Sequence, residues 1–153
     1  MSQESVPLSV SPLRLWLSRL LIAYVLFVNV QCAVLFLAQP DLYAPGFELG
    51  GPAGAGMVRA MGLLFLMWNV PYVVALSHPF RQRVSLYEAL VMQAIALFGE
   101  TFLLLSLPSG HPALVESTGR FILFDAIGLG ALIVALFLTF NLKFTVAQSP
   151  HNK

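Results

Sequence analysis

The sequence predicts an all-α, polytopic membrane protein in which residues 1–153 form one four-helix transmembrane bundle. Three observations carry this reading. Hydrophobic residues make up 58% of the chain and charged residues only 10%, against roughly 25% charged in an ordinary globular domain. A domain of this size leaves about a third of its unfolded-chain surface in contact with its surroundings, so that much apolar surface calls for lipid. The apolar residues are also gathered into runs of the ~20 residues that a spanning helix needs: Trp16 to Ala38, Met57 to Leu76, Leu86 to Leu107 and Phe121 to Phe140.

With their flanking signals these runs predict helices over about 12–38, 57–76, 86–107 and 119–141. Ser11 and Pro12 supply an N-cap and a first-turn proline for the first helix, and Pro40 and Pro45 follow its end. Its apolar stretch runs past the roughly 7–15 residues of a signal-peptide core, so it is expected to stay as the first span. The segment Gln39 to Gly56 contains Tyr43, Phe47 and five glycines, a composition expected of a flexible connector at the headgroup level. Its glycine spacing matches neither a dinucleotide nor a Walker pattern.

In the second helix, Trp68-Asn69-Val70-Pro71-Tyr72 predicts a kink, because Pro71 cannot donate to the Met67 carbonyl. Asn69 is then expected to satisfy freed backbone locally, and Trp68 and Tyr72, one turn apart, to pack. Ser85-Leu86-Tyr87-Glu88 reads as a capping box opening the third helix. Pro108, Gly110 and Pro112 are expected to stop that helix, and Ser117-Thr118-Gly119 to open the fourth.

The basic residues set the expected orientation. Arg14, Arg19, Arg81, Arg83, Lys143 and Lys153 fall on one side, and Arg59 and Arg120 on the other. The positive-inside rule therefore puts both termini and the His78 to Ser85 loop in the cytoplasm of a cell with this protein in its inner or plasma membrane.

Several function classes are disfavoured. A net charge of +1 gives no basic face for nucleic acid, and the lone Cys32 cannot form an internal disulfide or a dithiol centre. His78, His111 and His151 all fall in loops, so no intramembrane metal or haem site is expected and no cofactor is predicted. Ser106 and Thr101 have no histidine base at their depth, which argues against a hydrolase. An enzyme is the less expected class.

Glu100 and Asp125 are the residues that demand explanation, since a charge at the centre of a spanning helix costs on the order of 2.5–3.5 kcal/mol on insertion scales. At about 1.5 Å per residue, both lie roughly 10 Å from the outer ends of their helices. Asn29 and Gln31 of the first helix fall at similar depth, and Arg59 and Arg120 can reach inward from the outer interface. These six form an expected polar cluster in the outer half of the membrane. Asn69 and Gln93 form an expected inner polar layer.

Periodicity turns several of them inward. Asp125, Gly128, Leu132, Ala135 and Thr139 repeat at helical spacing on one face, as do Gln93, Ala96 and Glu100, and Ser18, Ile22, Val25, Asn29 and Cys32. Stripes of small and polar residues let helices approach and hydrogen-bond within lipid. The acids are expected to pair with Arg59, Arg120 or amide donors. An arginine partner would silence proton exchange at a buried carboxyl, so the arginines decide between a structural and a titrating role.

The run Arg59 to Tyr72 (RAMGLLFLMWNVPY), with Ser85 to Glu88 and Gly99-Glu100-Thr101, resembles the small bacterial four-helix membrane proteins grouped as DoxX-like or BphX-like. The resemblance covers most of the chain and implies a four-helix bundle, with no activity or functional residue to carry over. The chain is also similar in size and helix count to the small multidrug transporters, but those keep an essential acid in the first helix, where Asn29 and Gln31 stand here. Three functions remain. The first is a binding or assembly protein, an accessory subunit whose polar cluster fixes its own bundle or a partner helix. The second is a proton- or cation-coupled small-solute carrier acting as an oligomer. The third is a membrane enzyme using the acids on a lipid-soluble substrate. The expected partners are the lipid bilayer and either a larger membrane protein or further copies of the chain.

Overall fold

The computed structural model describes residues 11–140; Lys143, Lys153 and His151 lie outside them. The architecture is all-α. Helix α1 (Pro12–Ala38) is followed by the short α2 (Pro40–Tyr43) and a 3-10 turn (Ala44–Phe47). Helices α3 (Gly51–Trp68) and α4 (Val70–Ser77) are the two halves of one kinked span, and α5 (Arg83–Ser106) and α6 (Pro112–Thr139) complete the bundle. The four spans contain 27, 27, 24 and 28 residues, each enough to cross roughly 30 Å of hydrocarbon at about 1.5 Å per residue. Their outward faces are apolar: Phe98, Phe102 and Leu105 of α5 are 70%, 71% and 81% exposed. A bilayer covers side chains of that kind without cost.

The spans form a ring in chain order. α1 packs on α3, α4 and α6, α5 packs on α6 and α4, and the diagonal pairs stay apart. Two apolar clusters close the interior. Ile22, Val25, Tyr72, Ala75, Leu86, Ala89, Leu132 and Ala135 fill the end nearer the termini. Phe36, Ala44 and Val58 fill the other, the loop end, where Tyr43, Phe47, Phe65 and Phe121 join them. Gly62 lets α3 close on α1, since a Cβ there would lie 3.0 Å from the Ala33 carbonyl oxygen.

At the termini end, arginines finish the helices. Arg14 and Arg83 donate to the Phe140 and Thr139 carbonyls at the end of α6, and Arg19 donates to the Ser77 carbonyl at the end of α4. Cations suit these positions because a helix C-terminus carries unpaired carbonyls and partial negative charge.

The loop end departs from the sequence expectation. The segment expected to be a flexible connector is ordered, and α3 begins at Gly51, six residues before Met57. Aromatic packing is the reason: the Phe36 ring meets Tyr43, Phe47, Phe65 and Phe121 with centroids 5.1 to 6.3 Å apart. A polar clasp adds to it. Glu48 takes a left-handed φ of 56°, and its carboxylate meets His111 Nδ1 at 2.5 Å and accepts from the Leu114 N–H at 3.4 Å. The Ser117 hydroxyl donates to the Gly46 carbonyl at 2.6 Å.

The remaining boundaries differ in the same direction. Pro112, expected to stop the third helix, is the first residue of α6, so Ser117-Thr118-Gly119 lies inside it. The expected capping box is also absent: α5 starts at Arg83 with Gln82 as N-cap and no side-chain cap, and Glu88 is exposed. Arg83 reaches back to the end of α6, which draws the helix start ahead of Ser85. Ser11 holds the N-cap position of α1 without a side-chain hydrogen bond.

Candidate functional site

Between the two apolar clusters lies a cavity of about 430 Å³ walled by all four spans. Its origin is the kink. α4 packs against α5, whereas α3 diverges from α5 beyond the bend, leaving a gap edged by the exposed Ile95, Gly99 and Leu103. Pro71 supplies no N–H at the bend, and the Asn69 N–H bonds to Leu66 at 3.1 Å, not to Phe65. The Asn69 side chain takes over the Phe65 carbonyl, donating from Nδ2 at 2.6 Å. It therefore repairs backbone locally, but at a carbonyl two residues before the Met67 carbonyl that Pro71 frees.

A relay of side chains crosses the floor of the cavity. The Tyr72 hydroxyl, 2.6 Å from Gln93 Oε1 and 3.1 Å from the Ala89 carbonyl, donates toward both. Gln93 Nε2 then donates to Asp125 Oδ1 at 2.7 Å. Asp125 and Gln93 are 6% and 3% exposed, so each polar atom without a partner here would carry a desolvation penalty. Gly128 makes room for the relay, since a Cβ at that position would lie 2.7 Å from Gln93 Nε2.

Glu100 lines the same cavity, near enough for its carboxyl and that of Asp125 to act on one another. Glu100 Oε2 and Asn69 Oδ1 are buried without a hydrogen-bond partner. Asn29 lines the cavity on the side of the Tyr72 hydroxyl. Phe65, Trp68, Phe121 and Phe124 supply aromatic walls, and the chain's single cysteine, Cys32, is among the lining residues.

The structure thus brings together Glu100, Asp125, Asn29, Asn69 and Gln93, and it merges the two expected polar layers into one site. Arg120 lines the cavity too, yet its guanidinium pairs with the exposed Glu116 one turn earlier. Arg59 is exposed on α3 and forms no ion pair among the described residues, and Gln31 is exposed away from the cavity. The described residues show no salt bridge from either arginine to Glu100 or Asp125; the partner of Asp125 is the Gln93 amide. Distance along the helix explains this, because Glu116 sits one turn from Arg120 in an exposed position that needs no desolvation. No group of three or more His, Cys, Asp or Glu side chains among the described residues could hold a metal ion.

Sequence reasoning did not single out Tyr72 as a polar participant. Its signal was present: a phenol within a span needs a hydrogen-bond partner, and Asn69 and Pro71 beside it bend its helix toward α5.

Four apolar helices around this interior define a small, multi-pass integral membrane protein with four spans. No protein-family model, curated protein or solved structure matches the chain.

Proposed function

We propose that this protein is a binding module of the membrane, which holds a small amphipathic molecule in the cavity between α3 and α5. One observation supports this reading above the others: a cavity of about 430 Å³ with mostly apolar walls keeps buried polar atoms without partners. Cavities that bind small molecules have this size and character, with apolar walls and a few convergent polar groups. A purely structural cluster would close over its own polar atoms, because lipid supplies no water to satisfy them.

In this reading Glu100, Asp125, Asn29, Asn69 and Gln93 contact the guest, and Arg120 stands at the rim. The molecule enters sideways from the hydrocarbon through the α3–α5 gap. The termini lie in the cytoplasm of a cell whose inner or plasma membrane carries the protein. The bundle works as a homo-oligomer or as an accessory subunit of a larger membrane protein, and the four-helix resemblance to the DoxX-like proteins agrees with such a small module.

A second reading, a proton- or cation-coupled carrier, is favoured by the position of the two acids beside a proline-kinked span. It differs in requiring net movement of solute. Flux into proteoliposomes that is lost in Glu100→Gln with the fold intact would turn the module into a carrier.

The test of binding is native mass spectrometry of the protein released from lipid nanodiscs. Wild type is expected to carry an added small mass that Ala96→Phe, which fills the cavity from α5, loses. A bare wild-type chain, indistinguishable from Ala96→Phe in its adducts, would contradict the proposal.

A further inference from the structure

Resting on the reading of the cavity as a binding site, we infer that its guest is a lipophilic ammonium: an apolar, aromatic-sized body bearing a cationic N–H donor. The inference follows from which polar groups of the cavity are already engaged. The donors are largely spent: Tyr72 O–H on Gln93 and Ala89, Gln93 Nε2 on Asp125, and Asn69 Nδ2 on the Phe65 carbonyl. What is left over accepts. Asn69, 4% exposed and lining the cavity, keeps Oδ1 without a partner, and Glu100 Oε2 is in the same position.

Leftover acceptors call for a guest that donates. The charge balance then selects a cation over a neutral alcohol or phenol. Neither Glu100 nor Asp125 forms a salt bridge among the described residues, and the one arginine at the rim is turned to Glu116. An ammonium beside the two carboxyls would supply the cation that the site lacks, in a medium of low dielectric. The aromatic faces of Trp68, Phe65 and Phe121 favour the same charge through their ring quadrupoles. A carboxylate guest would meet two acids at the polar end of the cavity and is rejected on charge.

Three compounds with one body decide the matter: 2-(4-bromophenyl)ethylammonium, 2-(4-bromophenyl)ethanol and 4-bromophenylacetate. With Trp16→Phe as background, Trp68 is the only tryptophan of the chain, and bromine quenches its fluorescence from within the cavity. The ammonium is expected to bind at least tenfold more tightly than the alcohol, with the carboxylate weakest. Glu100→Gln combined with Asp125→Asn should remove that preference, and the ranking on the protein with both acids intact is informative even where this variant does not fold. Equal or tighter binding of the alcohol or the carboxylate would overturn the inference and leave the binding module standing. Quenching by all three no stronger than in Ala96→Phe would overturn the binding module itself, and the ammonium with it.

Discussion

Gln93 and Asp125 are joined across the bundle interior by an Nε2 to Oδ1 hydrogen bond of 2.7 Å, and this bond exists because residue 128, one turn along α6, has no side chain. The acid of α6 is therefore held by an amide of α5, which itself is held from its other end by Tyr72 of α4. Three spans meet in one chain of hydrogen bonds.

Gly128→Ala should destabilise the protein even though alanine is the better helix former by about 1 kcal/mol. The added methyl would have to displace an amide fixed at both ends, and overpacking of that kind costs roughly 1–3 kcal/mol. Thermal unfolding in detergent is expected to show a lower midpoint than wild type. A raised midpoint would mean that Gln93 has another place to go.

The relay predicts a measurable coupling. In a double-mutant cycle of Tyr72→Phe and Gln93→Leu, the interaction energy should lie near the average of about 0.6 kcal/mol found for hydrogen bonds inside membranes and not exceed about 1.7 kcal/mol. Steric trapping or denaturant unfolding in micelles supplies the four stabilities. A coupling near zero would place the Tyr72 hydroxyl on the Ala89 carbonyl alone.

The clasp at the loop end predicts a pH dependence. The hydrogen bond with His111 is the largest of the effects that hold the Glu48 carboxyl below its ordinary value of 4.5. A depressed carboxylate stabilises the folded form fully above the unfolded value and loses that contribution as pH falls through the lower, folded value. Amide exchange at residues 44–50 and 111–115 should therefore quicken, relative to intrinsic rates, as pH drops below about 4.5. Glu48→Gln should exchange at the quicker level throughout, and a wild type whose protection stays constant to pH 3 would argue against the clasp.

At the opposite end, Arg83→Ala should fray the last turn of α6. Removing a cation from a helix C-terminus costs about 0.3–1 kcal/mol, and the change should register as lost amide protection confined to the last described turn of α6. Unaltered protection there would show that Arg14 alone suffices to cap the helix.

Much of this was legible before any coordinates, and the boundary of legibility has a physical cause. The stripe Asp125, Gly128, Leu132, Ala135 and Thr139 is the buried face of α6 residue for residue, because within one helix the 3.6-residue period fixes direction. The kink at Pro71 was equally plain, since a missing N–H is written in the residue type. What the sequence could not carry was anything set by partners distant along the chain. Glycines around residue 51 suggest looseness until Phe36, Phe47 and Phe121 are seen to meet at that end of the bundle. Ser85 and Glu88 have the spacing of a capping box, but Arg83 answers to the end of α6, 56 residues away. Arg120 has the depth to reach Asp125, yet Glu116 is nearer and stays in contact with the surroundings. Tyr72 carries a phenol that calls for a partner, but which acceptors it meets is decided by α5 lying beside it.

A guest in the cavity between α3 and α5 is tested most directly by seeing one there. Crystals of the protein grown with whichever bromophenyl compound binds most tightly can be examined at the bromine absorption edge. An anomalous peak is expected inside the cavity, among Phe65, Trp68 and Phe121. Bromine found only on the lipid-facing surface of the helices, with the cavity empty of it, would mean that the cavity is not a binding site.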